Sequence, residues 1–143
     1  MSEVPLLKRL PPATMAAIQR TLHKVEFEPG TYIIRQGDMG DAFYMITKGC
    51  VEVLDESIDS MGQSHSKLLV PMFEGHIFGE NALLYDEPRN ASVRAKTNVT
   101  CLFIGKDDFL SYLTESSFQE ALETIVHQRQ DIRDKRGKIL MAN

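Results

Sequence analysis

The chain lacks the features of a membrane protein and of a general nucleic-acid binder. No apolar run in its 143 residues approaches the roughly 18 residues of a membrane span, and no charged-then-apolar signal opens it. Positive charge is not in excess, because 16 Lys and Arg stand against 20 Asp and Glu. A net charge of −4 offers no basic face to a phosphate backbone. We therefore expect no membrane span and no nucleic-acid partner.

Cysteine is scarce, and histidine is dispersed. Cys50 and Cys101 each lie in an apolar, strand-like run, at a separation that matches neither a metal site nor a redox motif. We expect two buried, reduced thiols and a cytoplasmic setting. A metal-dependent enzyme such as a cupin would cluster histidines with an acid. The four histidines are instead scattered over predicted helix, loop and turn, at His23, His65, His76 and His127. The sequence predicts no metal and no cofactor.

The chain length predicts one domain over residues 1–143. Residues 1–23 are predicted to form an N-terminal helical segment, since apolar residues such as Met15 and Ile18 recur there at helical spacing. Residues 24–105 contain short strand-like runs between glycine turns, which is typical of a small β-sandwich or barrel. Residues 106–143 are predicted to be C-terminal helices. The fold class is therefore mainly β with flanking helices.

Two connections are predicted as hairpins. Pro29 and Gly30 stand where a type II turn needs them, between two apolar runs. Residues 55–66, DESIDSMGQSHS, are polar and predict a long solvated hairpin loop.

The stretch over residues 78–93, FGENALLYDEPRNASV, suits a ligand that carries both a sugar hydroxyl and a phosphate. Gly79 permits close backbone approach, and a helical turn over 81–84 would present unpaired N–H groups to an anion. Glu80 could cap that turn or accept hydrogen bonds from a ligand hydroxyl. The planar guanidinium of Arg89 can hold a phosphate through two hydrogen bonds.

This stretch resembles the phosphate-binding cassette of the cyclic-nucleotide-binding domain family. The family pattern is F-G-E, small or apolar residues, P-R and A-[ST]-[VI]. It stands here as Phe78-Gly79-Glu80, Ala82-Leu83-Leu84, Pro88-Arg89 and Ala91-Ser92-Val93. Residues 25–53 and 95–113 resemble the first and last strands of the same family.

The resemblance implies an eight-stranded, jelly-roll-like β-roll with an N-terminal helix and C-terminal lid helices. It implies that Glu80 accepts the ribose 2′-hydroxyl of a cyclic nucleotide and that Arg89 pairs with the cyclic phosphate. The backbone N–H groups of Gly79, Ala82 and Ala91 would complete the phosphate cradle.

Asn90 departs from the commonest forms of the family. Directly after the arginine, cAMP-selective kinase regulatory subunits usually carry alanine, and cGMP-dependent kinases usually carry threonine. The amide oxygen of Asn90 could accept a hydrogen bond from the guanine amino group, which predicts cGMP as the preferred ligand over cAMP. The alternative is that Asn90 faces solvent and that strand residues near 67–72 set the selectivity.

The predicted function is a cyclic-nucleotide-sensing regulatory domain of a cGMP-dependent protein kinase. The alternatives are a cAMP-dependent kinase, then an ion channel or exchange factor. No kinase motif occurs, so the domain itself is predicted to be non-enzymatic, with a kinase catalytic domain or sister nucleotide-binding domains as partners. A bacterial-type transcription regulator is disfavoured, because the chain reaches Asn143 without a helix-turn-helix.

The predicted mechanism is a population shift. The nucleotide is expected to pull the 78–93 segment inward, and helices over residues 106–136 are expected to swing over the base. Ile132 and the run Ile139-Leu140-Met141 are candidates to stack on it.

Overall fold

The computed structural model describes residues 5–125, where two four-stranded sheets enclose an apolar core. The strands are β1 (His23–Phe27), β2 (Tyr32–Ile34), β3 (Ala42–Lys48), β4 (Val51–Ile58), β5 (Ser64–Met72), β6 (Ile77–Phe78), β7 (Ser92–Ala95) and β8 (Val99–Gly105). One sheet has the order β1-β8-β3-β6 and the other β2-β7-β4-β5. All of their strand pairs are antiparallel.

Helices flank the strands at both ends of the described chain. Helices α1 (Pro5–Lys8) and α2 (Pro12–Gln19) precede the strands, and α4 (Lys106–Tyr112) and α5 (residues 116–125) follow them. A further short helix, α3 (Glu80–Leu84), lies between β6 and β7. This confirms the mainly β fold with flanking helices that the sequence predicts, and the eight-stranded roll that the family resemblance implies. Ile132 and the 139–141 run lie outside the described residues, as does the end of the predicted 106–136 segment.

Strand β3 carries apolar side chains on both of its faces and so separates two cores. Ile46 points into the space between the sheets, where it packs in a cluster with Val53 and Val93. Phe43 and Met45 belong to a second cluster that includes residues of the helices. Because successive side chains of a strand alternate between its faces, one strand joins the interior of the roll to the helical layer. The sequence run AFYMIT over residues 42–47 predicts this double coverage, because it is apolar on both faces.

The turn predicted at Pro29-Gly30 forms, but the hairpin does not. The amide of Thr31 donates to the carbonyl oxygen of Glu28 at 3.1 Å, and Gly30 has φ +87°. Strand β1 pairs with β8 and β2 pairs with β7, so the turn joins the two sheets. The hairpin prediction is wrong because a turn sequence encodes a chain reversal and not the partner of each strand.

The predicted long loop over residues 55–66 is also wrong. Strands β4 and β5 stay paired as far as Ile58 and Ser64, so residues 59–63 alone make the connection. Paired residues such as Asp55 and Lys67 are polar because they are exposed to solvent at this end of the sheet. Polar composition there reflects exposure, while the ladder of backbone hydrogen bonds is retained.

The two cysteines are free and differ in burial. Cys101 is fully buried, and its burial raises the pKa of the thiol to about 12. Cys50 is only half-buried, so the prediction of two buried thiols is wrong for this residue. Cys50 lies in the short connection between Lys48, the last residue of β3, and Val51, the first residue of β4.

Two features are absent from residues 5–125. None of the helices there is both long and apolar enough to cross a membrane. Over the same residues, no three or more His, Cys, Asp and Glu side chains come together in a group that could hold a metal ion.

Candidate functional site

The 78–93 segment passes from one sheet to the other. It begins at the end of β6, which pairs with β3, and it ends in β7, which pairs with β2 and β4. Between them lies α3 (Glu80–Leu84), the short helix that the sequence predicts. The segment therefore sits at the junction of the two sheets, where it can contact both.

Arg89 is the centre of this segment. Its side chain is buried, with 3% of the residue exposed. One guanidinium nitrogen, Nη1, donates to the carbonyl oxygen of Gly79 at 2.6 Å, and Nη2 donates to that of Ala42 at 2.8 Å. Burial lowers the pKa of Arg89 below its ordinary value, while the negative charge of groups that include Asp41 and Glu80 opposes that change. The guanidinium thus ties the residue that precedes α3 to the start of β3.

Glu80 is the first residue of α3 and has no exposed surface. Among the described residues, Glu80 and Arg89 are the two buried charged side chains. Removing ions from water costs several kcal/mol per ion in real proteins. The negative charge of Glu80 acts on the Arg89 guanidinium, and two buried, interacting charges mark a candidate functional site.

Two glycines leave room for this arrangement. Gly79 has φ +92°, and a Cβ there would lie 2.8 Å from Arg89 Nη1. A Cβ on Gly40 would lie 2.8 Å from the Cβ of Ala82 and 3.3 Å from Cζ of Arg89. Real Cβ atoms do not approach so closely, so the backbone reaches the guanidinium only where side chains are absent. The sequence predicts that Gly79 permits close backbone approach, but it does not predict the same role for Gly40.

Residues 37–39 hold the backbone of residues 88–89 from the other side. The amide of Arg89 donates to the carbonyl oxygen of Asp38 at 2.7 Å, and the amide of Gly37 donates to that of Arg89 at 2.8 Å. Met39 forms an isolated β-bridge with Pro88. Arg89 is thus fixed through its main chain and its side chain, and no signal in the sequence predicts the main-chain contacts.

The other residues predicted to bind the ligand differ in burial. Ala82 and Ala91 are each 1% exposed, and Ala82 lies against Gly40 near Arg89. Asn90, between Arg89 and Ala91, is exposed. The structure therefore gathers Gly79, Ala82 and Arg89 closely and leaves Asn90 at the surface.

Comparison with known proteins agrees with this geometry. Residues 24–116 match the family model described as the cyclic nucleotide-binding domain. The chain belongs to that family. The family match begins within β1 and ends beyond α4, so it contains the whole 78–93 segment.

Named relatives of this cyclic nucleotide-binding domain are protein kinase components. It is 43% identical over 109 residues to a cAMP-dependent protein kinase regulatory subunit of Emericella nidulans, a match that covers 76% of this chain and 25% of that protein. It is 32% identical over 146 residues to human cGMP-dependent protein kinase 2, with 100% of this chain and 19% of that protein covered. The chain thus spans about a quarter or less of these relatives.

The fold is also that of solved members of the family. The regulatory domain of Toxoplasma gondii protein kinase A, crystallised with cAMP, superposes with a TM-score of 0.75 at 24% identity. The match covers 89% of this chain and 47% of that one. At this identity the likeness concerns the fold.

The cyclic nucleotide-binding domain connects its 78–93 segment to the helices that follow β8. Leu83 of α3 packs in the helical cluster that contains Phe109 of α4. The Lys106 ammonium lies 3.0 Å from a carboxylate oxygen of Asp86, and the Lys106 amide donates to the carbonyl oxygen of Asp41 at 2.9 Å. The first residue of α4 therefore contacts both the segment and the residue that precedes β3.

Proposed function

We propose that this domain senses a purine 3′,5′-cyclic nucleotide as the regulatory part of a protein kinase. The observation that carries the proposal is the buried pair Glu80 and Arg89 within a chain that belongs to the cyclic nucleotide-binding family. A cyclic nucleotide presents a singly charged phosphate and a free 2′-hydroxyl on one ribose. These two groups complement a guanidinium and a carboxylate.

Arg89 would hold the cyclic phosphate. In the structure its guanidinium donates to the neutral carbonyl groups of Gly79 and Ala42, and burial disfavours its charge. A phosphate oxygen is a stronger acceptor for a cationic donor than a carbonyl is, because the bond is charge-assisted on both sides. An anion beside Arg89 would therefore offset the cost of burying the guanidinium.

Glu80 and three main-chain groups would complete the site. The carboxylate of Glu80 would accept the ribose 2′-hydroxyl as a hydrogen bond. Backbone N–H groups of Gly79, Ala82 and Ala91 would donate to the phosphate. Ala82 lies in the first turn of α3, where N–H groups have no acceptor within their own helix.

A protein kinase is the proposed parent of the domain. The similarity to a cAMP-dependent regulatory subunit and to a cGMP-dependent kinase supports it. The domain itself would be non-enzymatic, and its partners would be a kinase catalytic domain or sister nucleotide-binding domains. Nucleotide binding would be relayed by α4 and α5, because α4 contacts the 78–93 segment through Lys106 and Asp86.

Two ligands are candidates, each favoured by a separate observation. Asn90 favours cGMP, since its amide oxygen can accept from the guanine amino group. The 43% identity to a regulatory subunit named as cAMP-dependent favours cAMP. We place cGMP first because Asn90 adjoins the proposed phosphate contact.

Calorimetric titration of the domain tests the proposal. We expect cGMP and cAMP to bind with dissociation constants well below millimolar, and the 2′-deoxy analogue of the tighter ligand to bind more weakly. The loss of one hydrogen bond to a charged group is worth about 1.5–3 kcal/mol, which is roughly 10- to 150-fold in affinity. Absence of binding below millimolar for both nucleotides would contradict the proposed function.

Replacement of Asn90 with alanine tests the choice of ligand. We expect Asn90→Ala to shift the cGMP-to-cAMP affinity ratio about fivefold toward cAMP, because a typical hydrogen bond contributes ~1 kcal/mol. Asn98→Ala is the matched control, since Asn98 is equally an exposed asparagine and lies outside the 78–93 segment. An unchanged ratio in Asn90→Ala would assign the selectivity to other residues.

A further inference from the structure

The hydroxyl of Ser92 occupies a buried position directly after the proposed site. Ser92 is the first residue of β7 and has no exposed surface. Its Oγ accepts a hydrogen bond from the amide of Gln36 at 2.9 Å and donates one to Oε1 of Glu56. A serine in this place therefore joins the chain that follows β2 to strand β4.

Glu56 collects hydrogen bonds from several strands. Its carboxylate also accepts from the hydroxyl of Tyr32 on β2 at 3.1 Å and from that of Ser66 on β5 at 3.4 Å. Its backbone amide donates to the side-chain oxygen of Gln36 at 2.7 Å. These bonds, led by that of Ser92, hold the pKa of Glu56 below its usual range. The carboxylate is thus charged at neutral pH and fixed in one orientation.

The cluster lies on the outer face of its sheet. Val53 and Val93 are paired and point into the interior between the sheets. The next pair along the strands, Leu54 and Ser92, therefore points outward. Glu56 follows Leu54 by two residues and shares its face, so it acts from outside the cavity between the sheets.

The cluster reaches Arg89 through a short run of main chain. The backbone amide of Gln36 donates to the Ser92 hydroxyl. Gln36 directly precedes Gly37 and Asp38. Gly37 donates to the carbonyl oxygen of Arg89, and Asp38 accepts from the amide of Arg89. Residues 36–38 thus run beside residues 89–92 and are bonded to both ends of them. Ser92 is therefore connected to the Arg89 main chain through hydrogen bonds to residues 36–38.

We propose that Glu56 and Ser92 are positioning residues of the nucleotide site. The Glu56 carboxylate fixes the Ser92 hydroxyl, the hydroxyl fixes residues 36–38, and those residues hold the main chain of Arg89. The affinity readout of this inference rests on the proposed function. The position of the Arg89 main chain can be measured without any nucleotide.

A neighbouring ion pair provides a matched control. Glu52 and Arg94 lie on the same two strands and the same face, two residues farther from Arg89, with 3.1 Å between Oε1 of Glu52 and Nη2 of Arg94. Loss of this pair removes a comparable contact between β4 and β7 but leaves residues 36–38 and Ser92 in place. A variant without this ion pair therefore distinguishes a general loss of sheet stability from a specific effect on the nucleotide site.

The test combines calorimetric titration with hydrogen exchange at neutral pH. We expect Ser92→Ala and Glu56→Ala each to weaken cyclic nucleotide binding about tenfold, because each removes a hydrogen bond to a charged group. The double variant should be no weaker than either single variant, since the two residues act as one unit. Ser92→Thr, which keeps the hydroxyl, and Glu52→Ala should stay within about threefold of the unaltered domain.

Hydrogen exchange of the Arg89 and Gly37 amides provides the readout without ligand. Both amides should exchange faster in Ser92→Ala and Glu56→Ala than in Glu52→Ala. Equal exchange in all three variants would overturn the inference, as would additive losses of affinity in the double variant. If Glu56→Ala does not fold, Glu56→Gln replaces it, and unchanged exchange in both Glu56→Gln and Ser92→Ala overturns the inference. If the unaltered domain binds no nucleotide, the proposed function fails, and exchange alone decides the positioning role.

Discussion

Replacement of Arg89 with alanine is expected to weaken cyclic nucleotide binding by about 2–5 kcal/mol, the cost of removing one partner of a buried charge pair. The phosphate would lose its cationic donor, and the buried Glu80 would lose a nearby positive charge. Calorimetric titration measures the change. Stability should fall too, because the bonds from Arg89 to the carbonyl groups of Gly79 and Ala42 are lost.

Two further variants separate charge from geometry. Arg89→Lys keeps the positive charge but replaces the planar fork with a point charge, so its affinity should lie between those of the unaltered domain and Arg89→Ala. Arg94→Ala removes a partly exposed arginine on β7 and should leave affinity nearly unchanged. If Arg89→Ala binds both nucleotides as well as the unaltered domain does, Arg89 does not hold the phosphate.

Replacement of Gly79 with alanine is expected to destabilise both the fold and the proposed nucleotide site. The φ of +92° disfavours alanine by roughly 1–2 kcal/mol. The new Cβ would also lie 2.8 Å from Arg89 Nη1 and 3.2 Å from the Ala42 carbonyl oxygen, and overpacking adds typically about 1–3 kcal/mol. We expect the free energy of unfolding to fall by about 2–5 kcal/mol in chemical denaturation, and affinity to fall with it as Arg89 is displaced.

Gly30→Ala is the control for the backbone part of this effect. Gly30 has φ +87°, and a Cβ there would meet nothing within 4 Å. It should therefore lose only the roughly 1–2 kcal/mol of the unfavourable φ and keep its nucleotide affinity. If Gly79→Ala and Gly30→Ala lower the free energy of unfolding equally, the contact between the new Cβ at residue 79 and Arg89 costs no stability.

The sequence predicts those parts of the domain that depend on local pattern. Gly79, Glu80 and Arg89 stand close together along the chain, so their residue types and spacing already define an anion site with a carboxylate. The alternation within β3 predicts its two apolar faces, because side chains of a strand alternate regardless of its partner. The helical turn after Gly79 is likewise a local property.

Contacts between distant parts of the chain could not be predicted in the same way. The Pro29-Gly30 turn encodes a reversal, yet the pairing of β1 and β2 depends on β8 and β7, more than 50 residues later. A side chain at residue 40 would collide with Ala82 and Arg89. No spacing in the sequence indicates this contact. The bonds that link residues 36–38 and Glu56 to the end of the site are of this kind as well.

The sequence identifies Asn90 as a candidate for choosing the base, but it does not predict whether the Asn90 side chain is buried or exposed. Its place after Arg89 predicts a role in choosing the base, whereas the structure shows an exposed side chain. An exposed amide can reach a ligand only if the ligand lies against the surface there. The titration of Asn90→Ala therefore tests the location of the base together with its identity.

Asp41 and Ala42 are adjacent residues whose carbonyl groups face different elements. The carbonyl of Asp41 accepts from the first amide of α4, and that of Ala42 accepts from Arg89. The carbonyl that binds α4 and the carbonyl that binds Arg89, the proposed phosphate contact, therefore belong to consecutive residues. Coupling between two sites is reciprocal: if nucleotide binding alters how firmly α4 is held, then a protein that captures α4 must change nucleotide affinity by the same factor. Such a partner would then set the concentration of nucleotide to which the domain responds.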